Sequence, residues 1–272
     1  MLLFPVAARR IITLTSDFGL RDGYVACMKG VILSISPAAS IVDVSHTVSP
    51  QDVSEGAFLL ASVHNYFPEG TIHLAVVDPG VGTARRPIAV QTSHAIFVGP
   101  DNGIFMSALA ESGAVDLSTG RLGNARAVEL ADPEFRRLPT SQTFHGRDIF
   151  APAVAFLASG VELARLGPDL DSLATLDLPR VRRRGGAIIG AVAHIDTFGN
   201  AITNISAREI PDRPVIRAGD AEIEGLSASY QDRLLAGIIG SSGFLEISVR
   251  NGNAAQYLGL RKGDTVEVRG AR

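Results

Sequence analysis

Short apolar runs alternate with helical repeats along the first part of this chain, and that alternation constrains the fold more than any other feature. Ile11 to Ser16 reads as a buried strand, and Tyr24, Met28, Val31, Ile32 and Ile35 then recur at helical spacing until Ser36-Pro37 stops the helix. Ile41 to Val44 is a second strand. Ser49-Pro50 predicts a helix start, with serine as cap and proline in the first turn, and Pro68-Glu69-Gly70 breaks that helix after Tyr66. Strands follow at 71–77, 87–91 and 95–98, then a helix near 103–111, and His145-Gly146-Arg147-Asp148 opens a last helix, Ile149 to Ala158. This order predicts a parallel or mixed sheet covered on both faces. From Ala187 the pattern changes to short β-rich segments at 187–195, 201–205, 214–217, 221–224, 244–249 and 265–268, separated by turn residues. They predict a small β-barrel or sandwich of about 85 residues.

Composition narrows the function. With 272 residues, 46% of them hydrophobic, the chain can fill two cores. A net charge of -3 is no nucleic-acid footprint. The one basic cluster, Arg180 with Arg182, Arg183 and Arg184 before Gly185-Gly186, reads as a solvated linker. The single cysteine, Cys27, excludes an internal disulfide and a multi-thiolate zinc site, and its place in a helix predicts a small buried residue. The apolar start Met1 to Pro5 is too short for a signal sequence, and Arg9 and Arg10 follow rather than precede it. No stretch approaches the roughly 20 apolar residues of a membrane span. A soluble cytoplasmic protein is expected. His46, His64, His73, His94, His145 and His194 are scattered, without an HExxH pair, so no metal site is expected; a Walker A loop and a GxGxxG motif are also missing.

Polar clusters mark element ends. The apolar run before Asp78 delivers that carboxylate to a strand tip, where open α/β sheets bind ligands, and the Pro79-Gly80-Val81-Gly82-Thr83 turn lets Arg85 fold back toward it. A surface ion pair on a turn would read the same way. Asp17, in Ser16-Asp17-Phe18-Gly19 with Asp22 nearby, could accept from ribose hydroxyls or cap the next helix. His145 could position a water, act as a base, or be structural. In the β-rich part, Phe198 could stack on a flat ligand and Asn200 could read an adenine edge, or Asp196 to Asn200 could be a hairpin turn with a packed phenylalanine.

Taken together, seven segments in order resemble the S-adenosyl-L-methionine (SAM) hydroxide adenosyltransferases, adenosine-forming SAM hydrolases related to fluorinase and chlorinase. They are TSDFGLRDGYVACMKGVI, IVDVSHTVSPQDVSEGAFLL, FPEGTIHLAVVDPGVGTARR, GPDNGIF, FHGRDIFAPAVA, IDTFGNAITNI and GSSGFLEISVRNGNAA, and the likeness runs from Ile12 to about Val268. The resemblance implies a Rossmann-like α/β/α sandwich over residues 1–182 and a smaller β-barrel over 183–272, assembled as a homotrimer with SAM between one subunit's first domain and its neighbour's second. It implies that Asp17 holds the ribose hydroxyls and that Asp78, Arg85 and His145 bind the water. Asp196 and Ser241, with Asp22, would take the methionine ammonium and carboxylate. Phe198 and Tyr230 would flank the adenine, Asn200 would hydrogen-bond it, and the backbone around Arg250, Asn251 and Gly252 would touch it.

The halogenating relatives carry tyrosine in place of Asp78; fluorinase also has serine in place of Gly146, arginine in place of Ser242, and an insertion that this chain lacks between Val90 and His94. A carboxylate repels halide in a dry pocket, so Asp78 argues for water. The expected reaction is cleavage of SAM to adenosine and L-methionine by in-line attack of water or hydroxide on ribose C5′, with no metal or cofactor. A halogenase of the same fold and a non-catalytic SAM- or adenosine-binding protein are the rivals.

Overall fold

The computed structural model describes residues 10–271, so the apolar start Met1 to Pro5 lies outside the described residues. The chain divides into two compact units, at Leu176/Asp177.

In the first unit, seven strands form one mixed sheet: β1 (Ile11–Ser16), β2 (Ser40–Ser45), β3 (Thr71–Val76), β4 (Pro87–Gln91), β5 (Ala95–Pro100), β6 (Arg126–Glu129) and β7 (Asp169–Leu170). Their order is β2-β1-β3-β5-β4-β6-β7. The β2-β1-β3-β5 pairings are parallel and the others antiparallel. Helices α1 (Tyr24–Ile35), α2 (Val53–Val63), α3 (Met106–Glu111) and α4 (Ala151–Ala158) cover it. The period of two along β3 sorts its side chains between two cores. Ile72, Leu74 and Val76 share one with Met28 and Ile32 of α1 and Val154 of α4, while Ala75 and the following Val77 share the other with Leu60 of α2 and Met106 of α3. Both faces are therefore buried, which explains why the residues before Asp78 are apolar but for the buried His73.

Three expectations change. Asp52, not Ser49, caps α2: its Oδ1 accepts from the Glu55 amide at 3.0 Å, and Glu55 reaches back to the Ser49 amide at 3.0 Å. The helix predicted to begin at Ile149 opens instead with a π-helical turn, Gly146–Phe150, in which the Ala151 amide donates to Gly146 O. Such turns often accompany functional sites. Cys27 is exposed, not buried, because Val25, Met28 and Ile32 form the inward stripe of α1.

The second unit holds β8 (Arg182–Arg184), β9 (Ala187–Ile195), β10 (Ala201–Ser206), β11 (Pro214–Ala218), β12 (Ala221–Glu224), β13 (Leu235–Ile239), β14 (Phe244–Val249) and β15 (Thr265–Gly270), with a short helix α5 (Ala254–Leu258). All pairings are antiparallel, in the order β12-β11-β15-β9-β10-β14-β13, and β8 adds to β9. The end strands β12 and β13 approach, and Ser227 just after β12 donates to Gly237 O on β13 at 2.9 Å, so the sheet curls toward a barrel. Ile188, Val192, Ile216, Leu245, Ile247, Val266 and Val268 fill it. Arg182 to Arg184, predicted as a linker, are exposed but form strand β8.

Candidate active site

Asp78 follows β3 by two residues. The Val81 amide bonds to Asp78 O at 3.2 Å and the Thr83 amide to Gly80 O at 3.1 Å, so the chain turns tightly before Arg85. Gly82 sits in the left-handed region, at φ 77°, and a Cβ there would lie 2.5 Å from Gln142 O. Only glycine lets this loop lie against the segment that leads to His145. The result is one connected cluster. Arg85 Nε donates to Asp78 Oδ1 at 2.9 Å and Nη2 donates to Asp78 Oδ2. Nη2 also lies 2.8 Å from His145 Nδ1. The pair is desolvated, with side-chain exposures of 10% for Arg85 and 5% for Asp78. Fork-to-fork pairing of this kind fixes orientation as well as charge. The guanidinium lies over the Phe150 ring at 5.2 Å, and its Nη1 is buried with no partner among the described residues.

Arginine only donates, so His145 Nδ1 must accept, and the proton of the neutral ring sits on Nε2. Burial and the Arg85 charge both push the imidazole below its ordinary value, with Asp78 pulling the other way. At neutral pH the ring is uncharged. Its Nε2–H can donate to a water oxygen but cannot take that water's proton.

The segment that leads to His145 is held by Asp148, to which the sequence alone assigned no separate role. Asp148 is fully buried, its oxygens accept from Arg147 at 2.7 and 2.8 Å and from the Ser141 amide at 2.9 Å, and its carbonyl accepts from the Arg137 amide at 2.8 Å. Burial raises the Asp148 carboxyl, but Arg147, Ser141 and Arg137 outweigh it and hold it below its usual range. Gly146 is packed tightly: a Cβ would meet Met28 Sδ at 3.1 Å and the Phe18 and Phe144 rings at 3.2 Å. A serine at this position would displace these side chains.

Asp17 lies at the tip of β1. It does not cap α1, whose first cap position is Gly23 without a side-chain bond. Its Oδ2 accepts instead from the Gln51 amide at 2.8 Å, and Gln51 holds a left-handed φ of 66°. A non-glycine residue in that region stores strain, a signal that only coordinates reveal. Asp22 is exposed.

The second unit gathers the other predicted residues. Between β9 and β10, Asp196 Oδ1 accepts from the Phe198 and Asn200 amides at 2.9 and 2.8 Å, and Oδ2 accepts from Asn200 Nδ2 at 2.8 Å. A Cβ on Gly199, at φ 85°, would collide with the Asn253 side chain, so the turn demands glycine. The turn is a hairpin, but Phe198 is not packed: it is 77% exposed. Tyr230 is half exposed and donates its hydroxyl to Glu246 Oε2 at 2.8 Å. Burial, then that hydrogen bond and the charges of Glu246 and Asp196, push the phenol up to about 12. Glu246 is buried, and burial and Asp196 raise its carboxyl against the opposing bond from Tyr230. No sequence spacing links Glu246 to Tyr230. Ser241 is exposed, whereas the Ser242 hydroxyl is buried without a partner among the described residues. Arg250, Asn251 and Gly252 form an exposed turn after β14, with Asn251 left-handed at φ 54°. Among the described residues no three His, Cys, Asp or Glu side chains are grouped to hold a metal ion, and no helix is long and apolar enough to cross a membrane.

The sequence matches two family models, the SAM hydroxide adenosyltransferase N-terminal domain over residues 12–167 and its C-terminal domain over 190–267. The (R)-S-adenosyl-L-methionine hydrolase of Salinispora arenicola is 38% identical, covering 94% of this chain and 97% of that protein. A fluorinase of an Actinoplanes species is 31% identical over 76% of this chain and 75% of its own length. A crystal structure of an uncharacterised conserved protein from Thermotoga maritima superposes with a TM-score of 0.85 at 36% identity, covering 95% of this chain and 99% of that one. The chain belongs to the SAM hydroxide adenosyltransferase family.

Proposed function

We propose that the enzyme hydrolyses SAM to adenosine and L-methionine. The observation that carries this reading is the desolvated Asp78–Arg85–His145 cluster, whose carboxylate would repel a halide. A water oxygen attacks ribose C5′, the C5′–S bond breaks, and its electron pair returns to sulfur as neutral methionine thioether. The sulfonium is already an activated leaving group, so the reaction needs no Lewis acid, and we assign no metal or cofactor. What the site must supply is alignment, which contributes up to roughly 7–11 kcal/mol in favourable systems. Asp78 accepts a water hydrogen and then the proton, Arg85 favours developing hydroxide, and neutral His145 donates from Nε2 to fix the oxygen. Asp17 takes the ribose hydroxyls and Asp196, Ser241 and Asp22 the methionine end. Phe198 and Tyr230 flank the adenine, with Asn200 and the Arg250-Asn251-Gly252 turn at its edge.

We further propose a cytoplasmic homotrimer in which each SAM draws on residues of two subunits. The relatives' name specifies the (R) sulfonium epimer, and we assign the same preference to this chain on its 38% identity to them. The test is incubation with each SAM epimer, with chromatography of the products. Adenosine and methionine, formed faster from the (R) epimer, are expected. Intact SAM would mean a binding protein, and 5′-methylthioadenosine a different cleavage.

A further inference from the structure

A second polar chain lies behind the Asp17 loop and takes no part in the water site. Lys29 Nζ on α1 donates to Asp43 Oδ2 at 2.6 Å. Asp43 Oδ1 lies 3.0 Å from His46 Nε2, and His46 Nδ1 lies 2.7 Å from Ser16 Oγ. Ser16 Oγ in turn accepts from the Phe18 amide at 3.4 Å. His46 and Ser16 are both buried, at 3% and 0% exposure.

The Asp43 end fixes the direction of the first bond. Burial raises the Asp43 carboxyl, but Lys29 and His46 outweigh it and keep it ionised, so it only accepts. His46 therefore donates from Nε2, and its Nδ1 meets the Ser16 hydroxyl. Each group uses one bond to orient the next, which rigidifies a fully satisfied buried network. The residues are those of a Ser-His-Asp hydrolase, yet Ser16 is fully buried and no substrate can reach it.

The backbone supplies what this chain does instead. His46 O accepts from the Gly19 amide at 2.7 Å, and Gln51, five residues on, donates its amide to Asp17 at 2.8 Å. The β1/β2 register slips beside Asp43, between Leu14 and Thr15, a bulge that turns the strand end toward the loop. Segment 43–51 thus grips segment 16–19 at Ser16, Asp17 and Gly19. Asp17 Oδ2 is taken by Gln51, and its Oδ1 has no partner among the described residues.

We propose that His46, held by Asp43 and Lys29, is a positioning residue that aims the Asp17 carboxylate at the ribose hydroxyls through Ser16 and Gly19. This rests on the ribose role given to Asp17 above. The readout is the ratio of calorimetric affinities for adenosine and 2′,3′-dideoxyadenosine, which a general loss of stability would not change. In the parent, hydrogen bonds to a charged acceptor should make the ratio roughly tenfold or more. Asp17→Ala should abolish it. His46→Asn keeps a hydrogen-bonding amide at the Nδ1 position for Ser16 and should retain most of the ratio. His46→Gln reaches Asp43 but leaves Ser16 unheld, and should lose it. Both variants keep most of the side-chain volume, so they remain informative if His46→Ala does not fold. Equal, parental ratios in the Asn and Gln variants, with the ratio lost in Asp17→Ala, would overturn the positioning role alone. A parental ratio in Asp17→Ala would overturn the ribose assignment itself.

Discussion

Replacing Asp78 by asparagine separates what the carboxylate does for the fold from what it does for the reaction. Asparagine keeps the volume and one oxygen for Arg85 Nε, 2.9 Å away in the parent. Its amide nitrogen would face Arg85 Nη2, donor against donor. Arg85 is 10% exposed, so its charge would be left desolvated and unpaired. Removing one partner of such a pair costs about 3–5 kcal/mol, and the retained Nε bond places this change near about 3. For a unit of this size that lowers the melting temperature by about 6–12 °C. Turnover should fall by about 10²–10⁴, the range for a positioned proton acceptor. The repulsion that excludes halide goes at the same time. Two unit charges about 4 Å apart repel by about 4 kcal/mol at an effective dielectric of 20. Chloride should therefore inhibit the variant at least about tenfold more strongly than the parent, even if little of that repulsion is recovered. Arg85→Leu should lose hydrolysis without gaining chloride sensitivity, since its charge favours any anion. The assay is initial rate against chloride concentration for the three proteins. Near-parental turnover in Asp78→Asn would remove this residue from the mechanism, and an unchanged chloride response would refute the exclusion argument.

Three further outcomes are expected. His73 is fully buried, with Nδ1 on Thr13 Oγ1 at 2.8 Å, and burial, then the His64 and His94 charges, lower its pKa from 6.5 to about 4. The fold binds this proton less readily than the unfolded chain does. Stability is therefore full above pH 6.5 and falls toward pH 4, by up to about 3 kcal/mol, and His73→Phe should flatten that slope in urea titrations; an unchanged slope would contradict it. Asp148→Ala should release the loop that carries His145, lowering turnover more than SAM affinity, and an affinity loss equal to the turnover loss would show that the clamp does not act through His145. Sedimentation should give a trimer, and a fully active monomer would refute a site shared between subunits.

The parts of this account that were legible in the sequence rest on local rules. The apolar run of β3 and the glycine turn after it placed Asp78 at a strand tip beside Arg85, and the short β segments announced a small β-barrel or sandwich. The misreadings arose where two local signals competed. Ser49 and Asp52 both offer a cap, and the left-handed Gln51 between them favours Asp52. Cys27 lies in a helical repeat, but only the inward stripe of α1 decides its exposure. Strand β13 was missed because Gly237 interrupts its pattern and Gly240 follows directly; a Cβ on Gly240 would collide with the Glu246 carboxylate. His46 and Glu246 escaped because their partners are chosen by tertiary packing. Glu246 meets Tyr230 across 16 positions and His46 meets Ser16 across 30.

The central claim is that water attacks C5′ of the ribose. Turnover of SAM in oxygen-18 water, followed by mass spectrometry of the nucleoside, tests it most directly. The account predicts one label per turnover in the 5′-hydroxyl of adenosine and none in methionine. An unlabelled 5′-oxygen, or label in the methionine carboxylate, would contradict it.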